Sequence, residues 1–246
     1  MKNLVAYITT GYPSLDFTID LAFSLKEAGV DTLELGIPFS DPVADGPIIE
    51  EANLRALEGG FKMRDLFEVS GRVASEIDTL FMGYFNPFYH IGVDRFIADA
   101  KRDGVSGFII PDLPYEEAKE YKSQIEKEGL ALIDFIAPTD PKRRVEKIVN
   151  GSKKFIYLVA YAGITGAKQR ENLDRIVSDI REFSDTPIYV GFGVNEKSAK
   201  ERAKGVDGVI VGSAFIKILL DDRLSNTQKI DNISKVAKSI KYQINE

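Results

Sequence analysis

The feature that most constrains this chain is the regular alternation of short apolar runs with stretches of helical periodicity. Eight runs of six to eight residues have the length and composition of buried strands. They cover residues 4–9, 31–37, 79–85, 106–111, 130–137, 154–161, 187–192 and 207–212. Strands that alternate with helices pair in parallel and are joined by right-handed crossovers. Eight such units in 246 residues predict an α/β fold of the (β/α)8 type, the TIM barrel.

A weak internal repeat supports this prediction. The segments GVDTLELG (29–36), GVSGFIIP (104–111) and GVDGVIVG (205–212) share a glycine that ends a helix, a polar turn and a buried strand. Glycine at that position favours a left-handed helix cap. Because any helix-to-strand loop converges on this pattern, it indicates βα architecture whether or not a unit was duplicated. No linker or low-complexity segment divides the chain, so we predict one domain, 1–246, whose last helix, near 228–243, packs on the barrel.

Composition excludes several classes of function. The net charge of −6 argues against a nucleic-acid partner. The absence of cysteine removes disulfides, thiolate metal sites and cysteine nucleophiles, and the single histidine, His90, makes a histidine metal site unfavourable. The first residues have too short an apolar run for a signal peptide, and no run approaches the ~20 apolar residues of a membrane span. We therefore expect a soluble, cytoplasmic protein without a metal.

Glu34 is an acid inside the predicted strand DTLELGI. Alternation places Leu33 and Leu35 on the face that packs against helices, so Glu34 points into the barrel lumen. It lies near the carboxyl end of the strand, where barrel enzymes carry their catalytic groups. The alternative is a buried acid paired with a base, but most strands offer no lysine or arginine, and Lys154 falls at the opposite end of its strand. We predict a raised pKa for Glu34, which suits acid–base catalysis.

Asp45 follows in a loop that opens onto the same face. Aspartate in a proline-rich loop often only stabilises a turn, so the residues leave its role open. Tyr157 and Asp112 lie at strand ends, and Asp134 is a mid-strand acid whose partner the sequence does not reveal.

Three glycine-rich segments follow the last three strands, at 162–170, 191–195 and 211–215. Barrels often bind phosphate near the loops after strands 7 and 8, on free backbone N–H groups and a helix N-terminus. Glycine also simply ends strands, but three such loops on one side favour a phosphate site at Gly166, Gly193, Gly212 and Ser213. No P-loop or dinucleotide fingerprint is present. No strand-end lysine could form a Schiff base, which leaves proton transfer by carboxylates.

The motifs together identify a family. The run LELGIPFSDPVADGP (33–47) resembles the signature of the tryptophan synthase alpha subunit family, and it is joined by matching motifs in the same order along the chain. These are T-x-G-x-P at 9–13, YFNPF around Asn86, PDLPYEE at 111–117, YLVAYAGITG at 157–166, GFGV at 191–194 and VGSA at 211–214. The resemblance runs from about residue 5 to residue 220.

The resemblance implies a lyase of tryptophan biosynthesis that cleaves indole-3-glycerol phosphate to indole and glyceraldehyde 3-phosphate. It implies that Glu34 is the general acid–base and that Asp45 binds the indole N–H and stabilises the positive charge there. Aromatic residues matching Tyr7, Tyr157 and Phe192 line the site, and Thr165 matches a lid threonine that closes onto the aspartate loop. The positions matching Gly166, Gly193, Gly212 and Ser213 hold the phosphate.

The family partner is a beta subunit that carries pyridoxal phosphate, so the resemblance implies an alpha2–beta2 heterotetramer and no cofactor in this chain. The implied contact surface includes Asp41, Pro42, Asn86 and Pro114. Two departures from the family stand out. Only about three residues precede strand 1, where relatives carry a helix, so we expect that helix to be absent. Ala160 stands where many relatives have serine. Two alternatives stay open: a barrel subunit that mainly activates its partner, and another phosphate-binding barrel enzyme of indole or histidine biosynthesis.

Overall fold

Parallel strands form the inner layer of the protein, and helices cover them on the outside. The computed structural model describes residues 1–160 and 167–246, with side chains from residue 173 onwards in the second part. The strands are β1 (Asn3–Thr9), β2 (Thr32–Gly36), β3 (Asp78–Met82), β4 (Gly107–Ile109), β5 (Ala131–Leu132), β6 (Asp134–Ile136), β7 (Ile156–Val159), β8 (Ile188–Gly191) and β9 (Gly208–Val211). The helices are α1 (Leu15–Glu27), α2 (Pro47–Glu58), α3 (Met63–Val73), α4 (Phe85–Ile91), α5 (Val93–Asp103), α6 (Tyr115–Lys127), α7 (Lys142–Val149), α8 (Ala167–Phe183), α9 (Ala199–Arg202), α10 (Ser213–Leu219) and α11 (Asn226–Asn245).

The sheet has the order β5-β4-β3-β2-β1-β9-β8-β7-β6, and all its pairings are parallel. The two edge strands, β5 and β6, are consecutive in the chain and are separated only by Ile133. The first half of this run pairs with β4, and Ile133 donates its N–H to the Phe108 carbonyl over 2.9 Å. The second half pairs with β7. The barrel is therefore nearly closed, and the predicted (β/α)8 fold is confirmed.

Strand alternation separates two apolar layers. Residues on one face of each strand pack under the helices, and those on the other face fill the lumen. The lumen cluster contains Val5, Leu80, Ile109, Ala131, Ile133, Phe155, Tyr157, Tyr189 and Ile210. Leu33 and Leu35 are fully buried on the helix side, as their positions beside Glu34 require. Among the described residues the lumen is a packed core, and a cavity lined by Glu34, Met82 and Gly212 lies at the carboxyl ends of the strands.

Local sequence signals set the ends of several helices. The three glycines of the repeated segments, Gly29, Gly104 and Gly205, have φ of 92°, 85° and 76°. Gly104 is the left-handed cap of α5 and Gly29 follows the cap of α1, as predicted, whereas Gly205 lies in the turn three residues after α9. Helix α11 begins with a capping box, in which Ser225 accepts from the Gln228 N–H over 3.3 Å and its own N–H donates to the Gln228 side chain over 2.9 Å. This helix packs against α1.

Polar and aromatic side chains close the end of the barrel opposite the open space. Asp78 accepts hydrogen bonds from Thr32 Oγ1 over 2.8 Å and from Lys154 Nζ over 2.9 Å. The rings of Phe155 and Tyr189 stack above it in the lumen, with centroids 4.4 Å apart. Lys154 is therefore paired at this end, as its position in the sequence predicted, and cannot reach Glu34.

Candidate active site

Glu34 lies on β2 between Tyr7 of β1 and Leu80 of β3 in the strand register. It is 2% exposed, and its Oε1 atom is buried without a hydrogen-bond partner. No ion pair to Glu34 occurs within the described ranges, so the alternative of a structural salt bridge finds no base. Burial, with a smaller contribution from the nearby Asp45 carboxylate, raises the pKa of Glu34 to about 8. An acid with this pKa is mostly protonated at neutral pH and can both give and take a proton.

Asp45 lies in the loop after β2 and faces the same cavity as Glu34, with a volume of about 650 Å³. Two side chains from other elements hold its carboxylate. Asn53 of α2 donates over 3.4 Å, and the Tyr84 hydroxyl after β3 lies within hydrogen-bonding reach. Burial raises the pKa of Asp45 to about 6, although the bonds from Tyr84 and Asn53 oppose the shift. Asp45 is thus mostly ionised at neutral pH, while Glu34 is mostly protonated.

Aromatic side chains form the walls of the cavity. Tyr7 and Tyr157 rise from the lumen, and their rings lie across glycines of the adjacent strands. A Cβ atom at Gly36 would lie 2.3 Å from the Tyr7 hydroxyl, and one at Gly191 would lie 2.3 Å from the Tyr157 hydroxyl. Phe192 lines the cavity with φ of 70°, a left-handed conformation that is costly for a non-glycine residue. Its ring meets Tyr157 edge-on, with centroids 6.1 Å apart.

The residues that follow β8 and β9 also line the cavity, with Gly193, Gly212 and Ser213. Gly193 has φ of 72°, and its carbonyl accepts from the Ser198 hydroxyl over 2.9 Å, which holds the loop after β8. Gly212 caps α10 and Ser213 is its first residue. Three of the four residues predicted to bind phosphate therefore line the cavity. Thr165 and Gly166 lie outside the described residues.

The four predicted partner-contact residues lie on three neighbouring loops of the same face. Asp41 and Pro42 follow β2, Asn86 lies in the first turn of α4 and Pro114 caps α6. These loops are joined to one another. The Ala44 N–H donates to the Tyr84 hydroxyl over 3.0 Å, and the Phe85 N–H donates to Asp112 over 2.9 Å.

Asp134, Asp112 and His90 are absent from the lining of the cavity. Asp134 accepts from Lys122 over 2.6 Å and from Ser152 over 2.7 Å, on the helix side of the barrel. Asp112 binds a backbone N–H between loops, and His90 is exposed in the last turn of α4. No cluster of three potential metal ligands was found in the residues that the structure describes.

Sequence reasoning missed two residues that contact Asp45. In the sequence, Tyr84 belongs to an apolar run and Asn53 is one polar residue in a predicted helix, so neither indicates a contact with Asp45. One signal was available for Asn53, because it is adjacent to Ala52 and one turn from Ala56 on the inward face of α2. A polar residue on such a face needs a partner. Its Oδ1 atom is still unpaired and buried.

The cavity of this barrel is lined by two differently protonated acids from β2 and the loop after it, and by glycine-rich loops after β8 and β9. This combination defines a class, the TIM-barrel enzymes of acid–base chemistry. The model of the family described as the tryptophan synthase alpha chain matches residues 1–245. The chain belongs to this family.

Individual relatives agree along the whole chain. The tryptophan synthase alpha chain of Wolinella succinogenes is 56% identical over 246 residues, which cover all of this chain and 96% of the relative. The solved structure of tryptophan synthase subunit alpha from Campylobacter jejuni is 37% identical with a TM-score of 0.88, covering 97% of this chain and 95% of that one. A ligand-free structure of tryptophan synthase from M. tuberculosis is 30% identical with a TM-score of 0.88, covering 100% and 94%. Over the described part of the chain, no helix is long and apolar enough to cross a membrane.

Proposed function

We propose that this chain cleaves indole-3-glycerol phosphate to indole and glyceraldehyde 3-phosphate, as the alpha subunit of a tryptophan synthase. The observation that carries the proposal is Glu34, a buried carboxyl group without a base, aimed into a cavity beside a second acid. Membership of the family supplies the substrate. The reaction is a retro-aldol cleavage, so a ring carbon must gain a proton and a hydroxyl group must lose one.

Glu34 performs both proton transfers. Its protonated form, favoured by burial, gives a proton to the indole carbon that carries the side chain. The resulting carboxylate then takes the proton of the adjacent hydroxyl group. As that O–H bond breaks, the aldehyde forms, the carbon–carbon bond breaks and its electrons return to the ring. Glu34 ends protonated, as it began, so the cycle needs no other acid or base.

Asp45 stabilises the intermediate. Protonation of the ring carbon leaves positive charge on the ring nitrogen, and an ionised carboxylate that binds the N–H favours this state. Its pKa of about 6 keeps Asp45 ionised at neutral pH. Tyr7, Tyr157 and Phe192 surround the ring. Gly193, Gly212 and Ser213 hold the phosphate, with Thr165 and Gly166 completing the site from the loop after β7.

The partner of this chain is the beta subunit of tryptophan synthase, and the finer assembly we propose is alpha2–beta2. Pyridoxal phosphate belongs to the beta subunit, and every proton transfer assigned above uses side chains of this chain alone. We assign Asp41, Pro42, Asn86 and Pro114 to the contact surface. The hydrogen bond from Ala44 to Tyr84 supports this assignment, since it joins the loop of Asp41 and Pro42 to the start of α4, which carries Asn86. We also propose that residues 1–246 are one domain that acts in the cytoplasm.

The test is an assay of indole release from indole-3-glycerol phosphate, first with the purified chain and then with a beta subunit added. Glu34→Gln should lower the turnover at least about 100-fold while substrate affinity changes little, since the lost group acts in the transition state. Glu58→Gln, the same substitution at an exposed position of α2, is the matched control. A Glu34→Gln variant that keeps more than about a tenth of the rate would refute the role of Glu34.

The same assay separates the two subunit functions. A chain that releases indole alone, faster with its partner, is an enzyme in its own right. A chain that releases none in either state but accelerates the beta reaction would be an activating subunit only.

A further inference from the structure

The charged side chains that line the cavity are unevenly distributed. Glu34 and Asp45 come from β2 and the loop after it, whereas the two cations, Lys197 and Lys217, follow β8 and β9. Glu196 is the other charged residue of the described lining. In the sheet, β1 separates β2 from β9, so the acids and the lysines occupy different sides of the cavity mouth.

Lys217 lies near the residues that are predicted to bind the phosphate. It lies four residues after Ser213 on α10, so the two share a face of the helix. Side chains on a helix lean toward its N-terminus, which carries the Lys217 side chain toward Ser213 and Gly212. Lys197 lies four residues after Gly193 in the loop after β8, and its backbone N–H donates to Asn195 over 2.9 Å. The positions of Lys197 and Lys217 thus flank the predicted phosphate site.

Both ammonium groups are available. Lys197 and Lys217 are exposed, and within residues 1–160 and 173–246 neither side chain makes an ion pair. Two other lysines in this part of the chain are paired, Lys200 with Glu246 and Lys204 with Glu201. A free lysine at the mouth of a cavity can serve an anionic ligand.

We propose that Lys197 and Lys217 are positioning residues that bind the phosphate of the substrate and orient it in the cavity. This inference rests on the proposed function, because it requires a phosphorylated substrate. A phosphate monoester carries about two negative charges at neutral pH. The lysines attract that charge and the two acids repel it, so the ring enters toward Glu34 and Asp45. Glu196 opposes the lysines, and its neutralisation should therefore strengthen binding.

The experiment measures the dissociation constant of glycerol 3-phosphate by titration calorimetry, which does not depend on cleavage. Lys197→Gln and Lys217→Gln should each raise it about threefold to tenfold at low ionic strength, and less at high salt. Glu196→Gln should lower it. Lys238→Gln is the matched control, since it removes the same charge from the outer face of α11 and should change nothing.

The kinetic counterpart uses the full-length chain with indole-3-glycerol phosphate. The lysine variants should raise KM by a similar factor and leave kcat within about twofold, the pattern of lost binding rather than lost chemistry. Unchanged dissociation constants in both lysine variants would overturn the inference, even if the native chain releases indole. Conversely, lysine-dependent binding of glycerol 3-phosphate in a chain that releases no indole would refute the proposed function and preserve the phosphate contact.

Discussion

At the scale of single residues, the protonation states of Glu34 and Asp45 decide the chemistry. The proposed reaction needs Glu34 protonated and Asp45 ionised, with pKa values near 8 and 6. We therefore expect kcat/KM to rise with pH through about 6 and to fall through about 8. The substrate phosphate also titrates near pH 6, so the alkaline limb is the informative one.

That limb should persist in Tyr7→Phe, because burial raises the pKa of Tyr7 well above its usual range and removes it from this window. A profile that stays flat to pH 9 would contradict the assignment of Glu34 as the acid.

The same burial makes a prediction about stability. The pKa of Glu34 is near 8 when folded and near its ordinary value of 4.5 when unfolded. The folded state therefore binds more protons between these values, and the contribution of protonated Glu34 is lost as pH rises from 4.5 to 8. Glu34→Gln removes this loss. The difference in the free energy of unfolding, variant minus native chain, should therefore rise by on the order of a few kcal/mol between pH 4.5 and pH 9.

Urea unfolding across this range measures the gain. The slope is the test, since the buried amide adds an offset that does not change with pH. Parallel stability curves for Glu34→Gln and the native chain would show that Glu34 titrates normally.

Asn53 tests how Asp45 is positioned. Its amide is 1% exposed and donates to the Asp45 carboxylate. Asn53→Leu removes a bond that favours the ionised form, so the pKa of Asp45 should rise and the acid limb of kcat/KM should move to higher pH. We expect kcat/KM to fall about tenfold near pH 6 and less near pH 7.5. Leu54→Ala, on the exposed side of the same helix, should leave the profile in place. An equal loss at every pH would mean that Asn53 only supports the fold.

At the scale of elements, alternation predicted where side chains point but not how strands and helices meet. It placed Glu34 in the lumen from the sequence of β2 alone. It predicted one strand over 130–137, whereas hydrogen bonds divide that run between β4 and β7 at Ile133. The partner of Asp134 could not be predicted, because Lys122 lies on a helix twelve residues earlier and only the packing of α6 brings it near. The contacts of Asp45 with Asn53 and Tyr84 could not be predicted for the same reason.

On neighbouring strands, a tyrosine ring of one strand lies against a glycine of the next, and this packing can be tested. Gly191→Ala would place a Cβ atom 2.3 Å from the hydroxyl and 2.4 Å from the ring of Tyr157. We expect a loss of about 1–3 kcal/mol in the free energy of unfolding and weaker substrate binding, since the ring must move. Tyr157→Ala in the same background should recover part of the loss, which a double-mutant cycle detects as coupling. Gly151→Ala, where the nearest atom would be 3.9 Å away, is the control. Additive effects would show that the two strands do not constrain each other here.

At the scale of the whole molecule, the barrel separates stability from chemistry. The site occupies the carboxyl end of the strands, while the opposite end is closed by the Phe155–Tyr189 stack and the bonds of Asp78. Helix α11 adds to this closure, because Lys241 donates to the Lys2 carbonyl over 2.9 Å. The sequence raised the question of how this end closes when β1 begins at Asn3, and it could not answer it. The bonds of Asp78 with Lys154 and of Lys241 with Lys2 join residues more than 70 positions apart, and no local pattern encodes them.

A substitution of Asp78 tests whether the closed end of the barrel affects stability without affecting the chemistry. Burial alone would raise the pKa of Asp78, but the nearby Ser106 hydroxyl and the bonds from Lys154 and Thr32 lower it overall. A lowered pKa contributes stability that is present above the unfolded value of 3.8 and is lost as pH falls through the folded value. Asp78→Asn should therefore cost about 1–3 kcal/mol in the free energy of unfolding at pH 7, and the cost should shrink as the pH falls below 4.

Indole release at temperatures where Asp78→Asn remains folded should match the native rate, since the substituted group lies across the packed lumen from Glu34. A variant with native stability and reduced turnover would mean that the two ends of the barrel are coupled. The lumen layer would then transmit the change, because Leu80 of this layer lies between Asp78 and the cavity residue Met82 along β3. Native turnover with lowered stability would instead establish that the closed end holds the barrel together and that the acids at the open end work independently of it.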